Sequence, residues 1–240
     1  MMKERFSTER VLLVLRYLFI ALAGLAIAGS IVYQQWETLL SAFLTLVLLL
    51  LPFLLARRAK ISIPPVFQIV ILLFIFASMY LGEIHRYFDR YWWWDIMLHS
   101  ASAIILGYIG FLLVYALNRN ENIDLHLSPF FISLFAFCFA SALGVLWEIF
   151  EFAVDGLLGA DMQKARNLEE LYGYFDTRLG VIDTMRDLIV NTVGALVVSV
   201  IGYFYLTARP RPDNAFGRLK DTFIRANPGL FRRRGEEQPR

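Results

Sequence analysis

The chain has 240 residues, of which 58% are hydrophobic and only 18% charged, and its mean hydropathy is +0.56. Soluble domains sit nearer about 45–50% apolar, so an ordinary water-soluble globule is excluded and an all-α, polytopic membrane bundle is predicted. One cysteine rules out a disulfide framework. The net charge of +2 comes with no nucleic-acid motif, so no nucleic-acid partner is expected.

Apolar runs long enough to cross a bilayer, about 20 residues, recur six times. They are predicted at Val11–Val32, Leu39–Leu55, Ile63–Leu81, Trp94–Leu117, Phe130–Val154 and Asp183–Tyr205. The first follows basic residues and contains Ala26-Ile27-Ala28, the pattern of a signal-peptidase site. Its apolar run continues past that site, so it is read as a retained span. Pro64 and Pro65 open the third span, and Pro129 opens the fifth, because a proline lacks only an N–H that the first turn does not use. Pro210 and Pro212 stop the sixth. Tyr91-Trp92-Trp93-Trp94 reads as an interfacial aromatic belt. Cys138 lies in the fifth run and reads as a small buried hydrophobe.

Lys and Arg gather on one side of these spans. Lys3, Arg5, Arg10, Arg57, Arg58, Lys60, Arg119 and the nine basic residues after Thr207 share it, whereas Arg86, Arg90, Lys164, Arg166 and Arg178 face the other. The positive-inside rule then puts both termini in the cytoplasm. Residues 1–206 form the bundle, with a core at 78–205 and an extracytoplasmic loop at 155–182, and residues 207–240 form a basic cytoplasmic tail. That loop carries Leu168, Leu171, Tyr172, Tyr174 and Phe175; it is long for a plain connection and reads as a cap over whatever lies beneath.

Three of the spans carry polar stripes. Asp95, His99 and Ser102 lie on the fourth, Glu148, Glu151 and Asp155 on the fifth, and Asp183, Asp187 and Asn191 on the sixth. Spacings of three, four, seven and eight residues put each set on one helix face. The stripes fall at matching depth, toward the outer side. Ionisable groups inside a span cost roughly 2.5–3.5 kcal/mol each on insertion scales and mark functional sites by default. One outward-opening cavity is therefore expected. Gly107, Gly110, Gly144 and Gly194 nearby read as packing positions that let the helices approach closely.

The segments Trp94–Ser100, Leu146–Phe152 and Asp183–Gly194 resemble the uncharacterised bacterial inner-membrane YjdF family. They also resemble the wider VanZ-like pattern: Asp and His on one helix, Glu on the next, then Asp, Asn and Gly. Glu151 departs from that pattern, where Gln is usual, and Arg178 matches its arginine only approximately. The resemblance implies a bacterial inner-membrane location and an association with the cell envelope.

Carboxylates with one imidazole can hold a divalent metal such as Zn²⁺, Mg²⁺ or Mn²⁺. His99, Glu148, Glu151 and Asp187 are the expected ligands, with Asp183 behind them. His99, Glu148 and Asp187 are the expected catalytic groups, and Asp95, Asp183, Asn191 and Arg178 the binding groups. The function that follows is a metal-dependent enzyme acting on a lipid-linked envelope substrate. A proton-coupled transporter and a non-catalytic binder of an envelope ligand are the alternatives, and membrane lipids are the expected surroundings. Intact-mass measurement of the purified protein should find residues 1–28 retained; a mature terminus at Gly29 would remove the first span.

Overall fold

The computed structural model of the chain describes residues 2–118, 126–164, 173, 178–208 and 215–230. The expected cap residues Leu168, Leu171, Tyr172, Tyr174 and Phe175 lie outside the described residues, as do Arg119, Arg166, Pro210 and Pro212. The described residues are helical, without a strand.

Six helices are long and apolar enough to cross a membrane: Thr8–Val32, Trp36–Arg58, Pro65–Ile84, Trp94–Asn118, Pro129–Leu158 and Leu179–Thr207. They coincide with the six expected runs and extend most of them by a few residues, because a helix continues past its apolar stretch until a cap ends it. At Pro129 the Ser128 hydroxyl accepts the Phe131 N–H at 3.2 Å. At the other end of the same helix Gly159 adopts a left-handed conformation, φ 66°, which a glycine takes without steric cost. Large apolar side chains such as Val14, Leu25, Phe43, Ile149, Phe152 and Phe204 lie exposed along these helices. A water-soluble protein does not display apolar surface on that scale; lipid covers it. Cys138 is among the outward-facing residues, contrary to the buried position expected, and a small apolar thiol suits lipid as well as a core.

The helices fall into two compact units, residues 1–94 and 95–240. In the first, α1 (Met2–Val32), α2 (Trp36–Arg58) and α3 (Pro65–Ile75) pack around Ala23, Ala42, Leu49 and Leu72, and a four-residue α4 (Tyr87–Arg90) follows. From Phe76 to Ile84 the third span winds as a π-helix. Phe19 stacks on Phe76 at 4.0 Å, and Phe76 on Tyr80 at 4.8 Å. The Phe88 ring fills the space that a Cβ on Gly82 would need. Tyr91, Trp93 and Trp94 cluster around Tyr87, while Trp92 stands 81% exposed.

The second unit contains α5 (Trp94–Asn118, from its second residue), α6 (Pro129–Leu158), α7 (Leu179–Thr207) and α8 (Ala215–Ala226). Glycines bring its long helices together. A Cβ on Gly107 would meet Val198 at 3.3 Å, and one on Gly194 would meet the Ala103 methyl at 2.8 Å. On Gly110 it would meet the Phe139 ring at 2.9 Å and the Ala136 Cα at 3.2 Å.

The segment read as a basic tail contains α8, a helix with an apolar face made by Phe216, Leu219, Phe223 and Ile224. The local excess of charge hides that spacing. Phe216 packs edge-on against Tyr108 and Phe111, at 4.8 and 4.7 Å between ring centroids, and its carbonyl accepts the Tyr108 hydroxyl proton at 2.9 Å. The Lys220 ammonium lies 5.3 Å from the ring centroids of both Tyr115 and Tyr205. Burial alone would lower the Lys220 pKa, but chiefly hydrogen bonds to Tyr205 and Asp221 hold it above the ordinary lysine value.

Gly110→Val is expected to lower the melting temperature in detergent, by the equivalent of about 1–3 kcal/mol of overpacking. Gly156→Ala, where a Cβ meets nothing within 4 Å, should leave it unchanged or slightly raised. Equal melting temperatures for both variants would show that the glycine contacts between α5 and α6 do not hold the bundle.

Candidate functional site

The polar stripes of α5, α6 and α7 converge. Asp95 and His99 stand one turn apart near the start of α5. Asp183, Asp187 and Asn191 run down the second to fourth turns of α7, and Glu148 and Glu151 lie two to three turns before the end of α6. Asp187 and Asn191 are each 2% exposed, Glu148 5%, and Glu151 and Asp183 7%. Five carboxyls, most of them buried, thus sit inside the apolar unit together with one imidazole.

His99 is the pivot. Its Nε2 lies 3.4 Å from Asp95 Oδ1 and 3.8 Å from Asp187 Oδ2, and its Nδ1 lies 4.0 Å from Glu148 Oε1. Asp95, His99 and Asp187 each offer one ligand atom, and these atoms fall within 4.8 Å of one another. The converging set overlaps the expected one at His99 and Asp187 and takes Asp95 as its third member. Glu148 stands instead on the far nitrogen of the ring. Glu151 accepts the Trp147 indole N–H at 2.8 Å, an i, i+4 bond within α6 that occupies one of its oxygens.

Both Glu148 oxygens are buried and accept no hydrogen bond of ordinary geometry. The Thr184 hydroxyl interacts with Glu148; it accepts a hydrogen bond from Gln163 Nε2 at 3.0 Å and keeps its own proton to donate. A buried carboxylate so poorly supplied with donors is costly, and a proton or a nearby cation would relieve it.

Asn191 marks the floor. Its amide donates to the Ala140 carbonyl at 3.4 Å while its own oxygen has no partner. It fits because residue 144 is a glycine: a Cβ there would collide with the Asn191 amide, 2.6 Å from Cγ. Two serines just after His99 serve their own helix: Ser100 donates to the Ile96 carbonyl at 2.7 Å and Ser102 to the His99 carbonyl at 2.9 Å.

Asp155, the third member of the α6 stripe, does not join the cluster. It accepts the backbone N–H groups of Met162 and Gln163 at 2.7 and 2.9 Å, folding the chain back just after Gly159. Met162 is buried by that fold, and Lys164 is brought within electrostatic reach of Glu151 and Asp183. Lys164 was visible in the sequence only as a flanking charge. Arg178 is exposed and opens α7, one turn before Asp183.

The predicted-membrane-protein family DUF2238 matches residues 12–208, which takes in all six spans and every cluster residue. The chain belongs to the DUF2238 family. A protein of Thermotoga maritima described as uncharacterized is similar to this DUF2238 member, with 23% identity over 197 residues, covering 81% of this chain and 92% of that one. No solved structure matches the chain.

Asp155→Ala removes the acceptor for two backbone donors, each worth about 1.5–3 kcal/mol when the acceptor is charged. Limited proteolysis should then cut the segment that follows Gly159 markedly faster than in wild type, while the spans stay protected. An unchanged cleavage rate would mean that Asp155 does not hold the fold-back.

Proposed function

We propose that this DUF2238 protein is a membrane-embedded, metal-dependent enzyme whose ion is held by Asp95, His99 and Asp187. The observation that carries this reading is the convergence of one imidazole nitrogen and two carboxylate oxygens from two helices on one point. Three protein ligands leave coordination positions open, which is the arrangement of catalytic rather than structural sites. A bound divalent ion would lower the pKa of a water or polarise a phosphoryl oxygen. One imidazole with carboxylates suits Zn²⁺ or Mn²⁺, and Mg²⁺ to a lesser degree.

The rest of the cluster has definite work in this scheme. Glu148, 4.0 Å from Nδ1 of His99, favours a proton on that nitrogen and so leaves Nε2 free to ligate. Carboxylate–histidine–metal series of this kind fix the ring and its tautomer. Glu151, Asp183 and Asn191 line the surroundings with polar atoms, and Lys164 and Arg178 supply positive charge for an anionic substrate. The charge bias of the flanks supports an inner-membrane orientation with both termini cytoplasmic and the cluster toward the outer side. The likeness to the VanZ pattern supports an envelope role. A lipid-linked phosphate compound of the outer leaflet is the substrate class that fits those premises.

Proton-coupled transport is the second reading. It is favoured by Glu148, whose two buried oxygens accept no hydrogen bond of ordinary geometry and are suited to carrying a proton.

Elemental mass spectrometry of detergent-purified protein separates them. The enzyme reading expects near-stoichiometric metal in wild type and its loss in His99→Ala and Asp187→Ala. Glu148→Gln should still load fully at high metal concentration, with affinity reduced about 10–100-fold. Absence of metal from a folded preparation, after addition of Zn²⁺, Mn²⁺ and Mg²⁺, would overturn the enzyme reading in favour of the proton-linked one.

A further inference from the structure

A second charge, half-buried, lies in the first unit. Arg16 is on α1, eight residues into a span that starts at Thr8, or about 12 Å along the helix axis. Its Nη2 donates to Gln68 Oε1 at 2.6 Å, and its guanidinium carbon lies 4.6 Å from the centroid of the Phe53 ring. Its Nε is buried and donates to nothing. Among the described residues no carboxylate pairs with it.

This arrangement is built rather than incidental. Gln68 is fixed by donating its own amide to the Ile63 carbonyl at 2.6 Å, which aims its oxygen at the guanidinium. Three helices thus hold one cation with an amide and an aromatic face, and both are neutral. They orient the charge without cancelling it, and an uncancelled guanidinium in hydrocarbon is costly. The missing component is an anion.

Depth and surroundings identify that anion. Gln68 is three residues from the start of α3 and Phe53 five from the end of α2, so both lie within about 8 Å of one end of the unit. Arginine side chains on a helix lean toward its N-terminus and carry their charge to the interface. Arg57, Arg58 and Lys60 are exposed at this same end. The sequence neighbours Leu13, Tyr17 and Leu54 are exposed and apolar, a surface for acyl chains and not for a hydrated ion. We propose that the α1–α2–α3 end of this protein is a specific site for an anionic phospholipid, whose headgroup phosphate pairs with Arg16. A zwitterionic lipid brings its own cation and satisfies the site poorly.

The test is native mass spectrometry of the full-length protein in detergent, titrated with phosphatidylglycerol or phosphatidylcholine of matched chains. One phosphatidylglycerol should bind at least tenfold more tightly than phosphatidylcholine, and Arg16→Gln should reduce it to the phosphatidylcholine level. Arg16→Lys should fall between the two, because an ammonium keeps the charge but loses the planar fork. On wild-type protein alone, phosphatidylglycerol should raise the melting temperature above the value in phosphatidylcholine; that measurement stands even if the variants do not fold. Equal binding and equal stabilisation by the two lipids would overturn the proposal, as would undiminished binding to folded Arg16→Gln. Displacement of the lipid by millimolar inorganic phosphate would also overturn it, by showing a site for a free anion.

Discussion

Placing five carboxyls together with one imidazole inside an apolar helix bundle is the constraint on which the second unit turns. In hydrocarbon a charge must find an opposite charge, a donor or a proton, and like charges must be separated or bridged. His99 lies between Asp95 and Asp187 on one nitrogen and Glu148 on the other, so it is the one group that every near acid shares. The helix packing serves this arrangement. Gly107, Gly110 and Gly194 remove the side chains that would hold α5 away from its neighbours, and without that approach a histidine on α5 would not reach acids on both α6 and α7.

The two units meet the same electrostatic problem with opposite signs. In one, acids outnumber bases and a positive partner is wanted. In the other, Arg16 is held by an amide and a ring, and a negative partner is wanted. Both deficits are created by the low dielectric of the bundle; in water the same side chains would ask for nothing.

The spans and the polar stripes were legible in the sequence because each rests on a strong periodic signal. Twenty apolar residues in a row can do little but cross a bilayer, and a helix repeat puts Asp95 beside His99 and Asp183 beside Asp187 whatever surrounds them. The stripes of the cluster followed from those two facts, though not every member of a stripe joined it. The partition of labour within it did not, since it depends on side-chain rotamers. Whether Glu151 faces the centre or takes the Trp147 indole, and whether Glu148 meets Nδ1 or Nε2, leaves no mark on residue spacing. Asp155 shared the spacing of its stripe yet serves the backbone of the following turn, because it sits in the last turn of α6, within reach of the Met162 and Gln163 N–H groups just beyond it. The helix at Ala215–Ala226 was obscured for another reason: its apolar face is only four residues, and the charges between them dominate any composition count. The π-helical stretch from Phe76 holds the rings that stack from Phe19 to Phe76 to Tyr80, and residue spacing does not mark it.

The notch at Gly144 carries a consequence for how such sequences can change. The Asn191 amide occupies the volume where a side chain at 144 would begin, so the two positions share one parcel of space. A methyl at 144 demands a shorter residue at 191, and an intact asparagine at 191 demands that 144 stay bare. Neither can drift alone, and relatives that have altered one should be found to have altered the other. Residues with no direct part in ligand chemistry would then record, as paired substitutions, whether the floor of the site has been kept or rebuilt.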